Sequence, residues 1–255
     1  MIKFTDIDGL KIRYRETGEG KTIVFLHGWG CSLDIFKTIH TSIANNGFKA
    51  ITLDFPGFGE SSEPKNVWGV YEYADFFEKF VRKLQIKDPT LVGHSFGGRV
   101  SIIYASRNEN LSKLILVDAA GIKPKRSLKY YYKVYSFKTM KHIVNFILPK
   151  DKANQIIDNY RKKSGSSDYN GASIMMRSIL SKVVNQDLKY LLPKIKVPTL
   201  LFWGKNDTAT PIKDAQIMNK LIPDSGLIAY DNVGHFSFLE RGAEFDAVIK
   251  NFLKN

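Results

Sequence analysis

Thr90-Leu91-Val92-Gly93-His94-Ser95-Phe96-Gly97-Gly98 joins a short apolar run to a helix-period stretch, 96–106. A strand that ends and reopens as a helix within so few residues must turn sharply. Gly93 and Gly97, two residues either side of Ser95, leave room for that turn, and Gly98 lets the helix lie close. The turn pushes the serine oxygen into the open at the carboxyl end of a sheet. The helix start behind it offers free N–H groups and the positive end of a dipole. Ser95 is the candidate nucleophile.

On both sides of this turn, strand and helix signals alternate. The stretch 11–16 alternates in the manner of a half-exposed strand. Short, nearly continuous apolar runs follow at Thr22–Leu26, 50–53, 90–92, Lys113–Val117 and 197–203, with a shorter one at 227–230. Such runs suit strands buried on both faces of a mainly parallel sheet. Helix-period stretches lie between them at 72–84, 96–106, 212–221 and 243–253. The expectation is an α/β sheet wrapped by helices. Between 121 and 194 no buried-strand run appears. That segment reads as helices with an aromatic, basic surface (Tyr130, Tyr131, Tyr132, Tyr135, Phe137, Phe146), broken by a turn at 164–167, and is a candidate insertion between two strands.

A serine hydroxyl needs a base to take its proton. Of five histidines, His94 sits inside the turn and is expected to pack there. His40 and His142 lie in polar, helical surroundings and read as surface, and His27 belongs to another motif. His235, in Asn232-Val233-Gly234-His235-Phe236, follows the last short strand and falls at the sheet's carboxyl edge. The base needs a carboxylate to fix its tautomer. Asp207, in Gly204-Lys205-Asn206-Asp207, has a loop-like approach and is favoured. Its rival, Asp118, ends a strand and reads as a hydrogen-bonding residue there. An oxyanion needs donors as well. The N–H of Phe96 is one. The loop His27-Gly28-Trp29-Gly30 supplies the N–H of Trp29 as the other, with His27 bracing the loop. Cys31 beside it reads as a small packing residue.

These motifs, together with Asp54-Phe55-Pro56-Gly57-Phe58-Gly59-Glu60-Ser61, follow one another in an order that resembles the α/β-hydrolase fold superfamily over essentially the whole chain. The resemblance implies a mainly parallel eight-stranded sheet flanked by helices, with a helical cap inserted after strand 6. It divides the chain into a core of 1–120 and 195–255 and a cap of 121–194. It also implies Ser95 as nucleophile, Asp207 as acid and His235 as base. Trp29 and Phe96 would form the oxyanion hole, with His27, Gly28, Gly93 and Gly97 in support. Residues 54–61 would be a structural turn flanking the site. Serine at the elbow argues against the dehalogenases and epoxide hydrolases of this fold, which use aspartate. The expected activity is that of a capped serine esterase cleaving a carboxylic ester or thioester. A carbon–carbon bond hydrolase or lyase with the same triad, and a slow-turnover ligand-binding signalling protein, are the alternatives. No cofactor and no metal are implied.

Composition narrows the partners. The chain has 255 residues and a single cysteine, which excludes a disulfide-built fold, and its 44% hydrophobic content excludes disorder. No apolar run reaches the ~18 residues of a membrane span, and residues 1–10 lack a signal core, so the default expectation is a cytoplasmic protein. There are 38 basic and 25 acidic residues, a net charge of +13. Sixteen of the bases and four of the acids fall in 121–194, so the segment expected to form the cap carries +12. That concentration suits a small-molecule ester or acyl substrate that is anionic or carrier-linked, or an anionic membrane face. No nucleic-acid motif accompanies it, so nucleic acid is not expected.

Overall fold

The apolar runs are strands buried on both faces. In the computed structural model, which describes residues 1–108, 110–124, 128–164 and 171–254, they form one sheet. Its strands are β1 (Ile2–Ile7), β2 (Leu10–Thr17), β3 (Thr22–Leu26), β4 (Lys49–Leu53), β5 (Thr90–His94), β6 (Lys113–Val117), β7 (Thr199–Gly204) and β8 (Ser225–Tyr230). Their spatial order is β1-β2-β4-β3-β5-β6-β7-β8. β1 and β2 pair antiparallel, as do β2 and β4, and the remaining neighbours run parallel.

Side chains two apart on a strand share a face, and this splits the core in two. Val24, Leu26, Leu91, Leu114, Leu116, Leu201 and Trp203 point to one side. Ile23, Phe25, Val92, Ile115, Val117, Leu200 and Phe202 point to the other. The first side is covered by α2 (Val70–Lys83), α3 (Phe96–Arg107) and α7 (Ile212–Leu221), through Tyr73, Phe77, Val100, Ile103 and Met218. The second is covered by α1 (Lys37–Ala44) and α8 (Gly242–Lys254), through Ile39, Ile43, Phe245 and Ile249.

Between β6 and β7 the described residues form no strand, and the helices there are α4 (Leu128–Ile147), α5 (Lys150–Ser164) and α6 (Ile174–Val183), with a tight turn at Lys189–Lys194. The turn read at 164–167 lies outside the described residues beyond Ser164, as does the side chain of Tyr130. The segment is not uniform. Met176, Ile179 and Val183 of α6, with Leu188 and Leu192, are buried in the core on the α2/α3 side of the sheet.

Two features differ from the sequence reading. β1 carries no buried-strand pattern in its sequence because its side chains are mostly exposed. Its signal is Asp8-Gly9, both with positive φ (53° and 76°), a two-residue hairpin turn that sets Ile7 opposite Leu10. His40 is not a surface residue. It is buried, with Nδ1 2.7 Å from Thr52 Oγ1 and Nε2 3.1 Å from Thr17 Oγ1. These partners arrive from β4 and β2, which the polar helix around His40 does not announce. His142 is exposed.

β3 sits between β4 and β5, so the chain leaves it in one direction and returns on the other side. The crevice outside the carboxyl ends of β3 and β5 is where such a sheet places ligands. The loop after β3 carries 27–30, and the one after β5 carries Ser95.

Candidate active site

Ser95 links β5 to α3 with φ 50° and ψ −110°, a conformation most side chains avoid. Tight packing holds it there. A Cβ on Gly97 would run into the backbone carbonyls of Leu26 and His27, and one on Gly93 would meet Ser101 Oγ and the carbonyl of Gly97. The backbone is tied as well: Ser95 N–H donates to Val117 O at 3.2 Å, and Ser95 O accepts from Ala120 N–H at 2.9 Å. The side chain is left half-buried at the carboxyl edge.

Three residues from distant positions meet there. His235 Nε2 lies 3.0 Å from Ser95 Oγ, and His235 Nδ1 lies 2.8 Å from Asp207 Oδ2. Nδ1 therefore carries the proton toward the carboxylate, and Nε2 accepts from the serine hydroxyl. Asp207 is itself fixed: Oδ1 accepts from the N–H groups of Ala209 and Thr210, at 2.7 and 2.9 Å. Thr210 Oγ1 stands 2.6 Å from Oδ2. Burial works to raise the Asp207 pKa, but the hydrogen bonds from His235 and Thr210 prevail and hold it below the ordinary carboxylate range.

Asp118, the rival carboxylate, lies elsewhere. Oδ1 accepts from Gly204 N–H at 2.9 Å, and Oδ2 accepts from Ser237 N–H at 2.9 Å and Ser237 Oγ at 2.6 Å. It ties the end of β6 to β7 and to the turn just after His235. Burial pushes its pKa up to about 7 against those hydrogen bonds.

The loop after β3 sits against this group. His27 is buried, donating from Nδ1 to Gly28 O at 2.7 Å and accepting at Nε2 from Phe55 N–H at 3.0 Å. Burial lowers its pKa, so the ring is a neutral strut between 27–28 and the 54–61 turn. Asp54 anchors that turn through Leu33 N–H at 2.6 Å and Glu60 N–H at 3.1 Å. A Cβ on Gly28 would press on the side chains of His94 and Ser95. The Trp29 ring packs edge-on against Phe58 and Phe96, with centroids 4.8 and 5.6 Å apart. Phe96 is the first residue of α3, where N–H groups have no partner within the helix. Cys31 is half-buried beside the loop.

Two residues escaped the sequence reading of the site. Thr210 bridges Asp207 and the backbone carbonyl of Asp118, 2.9 Å away. His94 does more than pack: its Nε2 donates to His235 O at 2.9 Å. Burial lowers its pKa to about 3, so it donates as a neutral ring.

A cavity of about 370 Å³ opens beside Trp29 and Phe58 and is closed on the far side by Ala172, Ser173 and Met176. Glu63 stands at its wall and accepts from Ser173 Oγ at 3.1 Å. Among the described residues, no group of three or more His, Cys, Asp or Glu is placed to hold a metal ion, and no helix is long and apolar enough to cross a membrane.

Comparison with known proteins agrees with this architecture. A family model described as alpha/beta hydrolase fold matches residues 21–162 and 149–242. The AB hydrolase superfamily protein YisY of Bacillus subtilis is 28% identical, with 93% of each chain covered. The 2-hydroxy-6-oxo-6-phenylhexa-2,4-dienoate hydrolase of Comamonas testosteroni is 24% identical over 99% of this chain and 94% of its own. Among solved structures, the esterase EaEST of Exiguobacterium antarcticum is 26% identical, with a TM-score of 0.76 and 100% of both chains covered.

Proposed function

Because this chain belongs to the alpha/beta hydrolase fold family, we propose that it is a serine hydrolase cleaving a carboxylic ester or thioester of a small molecule. The supporting observation is the relay at 3.0 and 2.8 Å from Ser95 through His235 to Asp207. Ser95 Oγ attacks the acyl carbon as His235 Nε2 takes its proton. Asp207 holds the ring and offsets the charge of the imidazolium. The N–H groups of Phe96 and Trp29 receive the oxyanion. His235 returns its proton to the departing alcohol or thiol. It then deprotonates a water that attacks the acyl-enzyme, releasing the acid and restoring Ser95. Each step uses only these residues and water. In this reading 121–194 is a cap on a core of 1–120 and 195–255, and the cavity between Trp29 and Met176 receives part of the substrate.

The test is hydrolysis of p-nitrophenyl acetate together with labelling by a phosphonofluoridate. The chain should be labelled at Ser95 and turn the ester over, and Ser95→Ala should do neither. A wild type that is neither labelled nor active refutes the reading. A labelled wild type without turnover points to the signalling alternative. One observation favours a second reading: the Comamonas relative is named as a hydrolase of 2-hydroxy-6-oxo-6-phenylhexa-2,4-dienoate. Turnover of that dienoate well above that of any ester would move the assignment to carbon–carbon bond cleavage.

A further inference from the structure

α4 is an unusual helix for a folded protein. None of its described side chains is buried. Its inner side is half-buried through Val134, Met140 and Val144, spaced as one helical face. The opposite side is also apolar: Leu128, Tyr132, Tyr135, Ile143 and Phe146 recur at helical spacing and stand in solvent, with Leu128 at 88% and Phe146 at 92% exposure. Contiguous apolar stripes of this kind mark interaction surfaces. Segment 121–150 also holds eight Lys or Arg residues and no Asp or Glu. Exposed Lys138 flanks the stripe, its Nζ 5.7 Å from the Tyr135 ring centroid, while Lys133 and Lys141 are exposed elsewhere on the same helix.

We propose that the outer face of α4 docks on an anionic lipid bilayer, lying in the plane of the interface. The chemistry matches from both sides. Aliphatic and phenyl groups enter the acyl boundary, tyrosines sit at headgroup depth with their hydroxyls in water, and the flanking Lys138 stem reaches to the lipid phosphates. The acid-free charge complements an anionic surface. The charge is not matched to the substrate cavity, whose lining includes Glu63 and no base. The surface works whether or not Ser95 is a nucleophile, so it does not rest on the serine-hydrolase reading.

The experiment uses the full chain carrying Ser95→Ala, which separates binding from turnover. It is spun down with sucrose-loaded vesicles of phosphatidylcholine alone, or of phosphatidylcholine and phosphatidylglycerol in equal parts. Binding is expected to the anionic vesicles only, weakening as salt is raised. Lys138→Glu should lower the partition constant by at least about fivefold. Tyr132→Ser with Phe146→Ser should lower it more than tenfold, while Lys220→Glu, outside the segment, should change it less than twofold. These side chains are exposed, and an unchanged thermal melt confirms that each variant is folded. Equal binding to both vesicle types, no binding to either, or an undiminished partition of the lysine variant overturns the proposal. So does tight binding to an acidic acyl carrier protein by a chain that ignores vesicles.

Discussion

His94 Nε2 lies 2.9 Å from the backbone carbonyl of His235, so the residue just before Ser95 holds the loop that carries His235. The ring also packs on those of His235, Phe236 and Phe238, at centroid distances of 5.0, 5.1 and 5.0 Å. Relays of this kind tolerate little displacement: a misplacement of ~1 Å can cost about a hundredfold in rate. His94→Leu is expected to lower kcat on p-nitrophenyl acetate by about that factor with KM little changed, and His94→Gln, which keeps an N–H donor, to recover part of it. A His94→Leu enzyme with wild-type kcat would remove His94 from this role.

Asp207 and Asp118 should respond differently to the same change. Asp207→Asn leaves the shape intact but presents an amide to His235 Nδ1, and a comparable substitution in a serine protease lowers kcat about 10⁴-fold. Asp118→Asn instead disturbs three bonds that tie β6 to Gly204 and Ser237. It is expected to cost about 1–3 kcal/mol of stability, the penalty for a buried polar group left mismatched. Steady-state kinetics and urea unfolding on both variants check this. A larger loss of kcat from Asp118→Asn would reverse the assignment of the acid.

What could be read in advance divides along physical lines. The strands flanking Ser95 are buried on both faces, so the runs Thr22–Leu26 and Lys113–Val117 coincide with β3 and β6 end to end. That Ser95, Asp207 and His235 meet at one edge of the sheet is legible because each follows a strand in a loop with a nearby glycine. Asp118 reads in the sequence as a hydrogen-bonding residue at a strand end, but its partners, like those of Thr210, are not legible there, because they are up to 119 positions away and meet only when the sheet is assembled. β1 is an edge strand whose exposed face hides the usual period. His40 shows the same limit in reverse, since its polar neighbours on α1 conceal two threonine partners on the sheet.

His40 should leave a mark on the pH dependence of stability. Burial lowers its pKa from 6.5 to about 4, helped by the positive charge of Arg15. Between those values the unfolded chain binds the proton and the folded chain does not, so stability rises with pH across that window. The contribution is present above pH 6.5 and lost as pH falls through about 4, in total about 3 kcal/mol. Urea midpoints at a series of pH values should fall steeply over this range, and His40→Gln should flatten the slope by up to one proton. His94, displaced in the same direction, keeps some slope in the variant. An unchanged slope would show that His40 titrates normally.

Gly97→Ala tests how rigidly the elbow is held. The new methyl would meet backbone carbonyls of Leu26 and His27 rather than a side chain that can swing aside. Overpacking of this sort costs about 1–3 kcal/mol, which lowers Tm by about 2–4 °C per kcal/mol in a chain of this size. Calorimetry should show that drop, with activity reduced as well because β3 and α3 are pushed apart beside Ser95. A variant as stable as the wild type would mean the β3 end yields easily.

The cavity predicts a preference that runs against the chain's overall charge. Its lining is apolar or small except for Glu63, and Met176 of α6 closes it against Gly57 and Phe58. An acyl group seated there meets one negative charge, whatever the field of the basic helices outside. The wild type should therefore favour a p-nitrophenyl ester with a neutral acyl chain over one of equal length ending in a carboxylate. Glu63→Gln removes a repulsion of roughly 1 kcal/mol for charges ~4 Å apart in water, and should narrow the ratio of kcat/KM values by about fivefold, mostly through KM. The salt dependence gives a second reading: raising ionic strength should screen that repulsion in the wild type and bring the two esters closer. A ratio unmoved by both the substitution and salt would place the acyl chain outside this cavity.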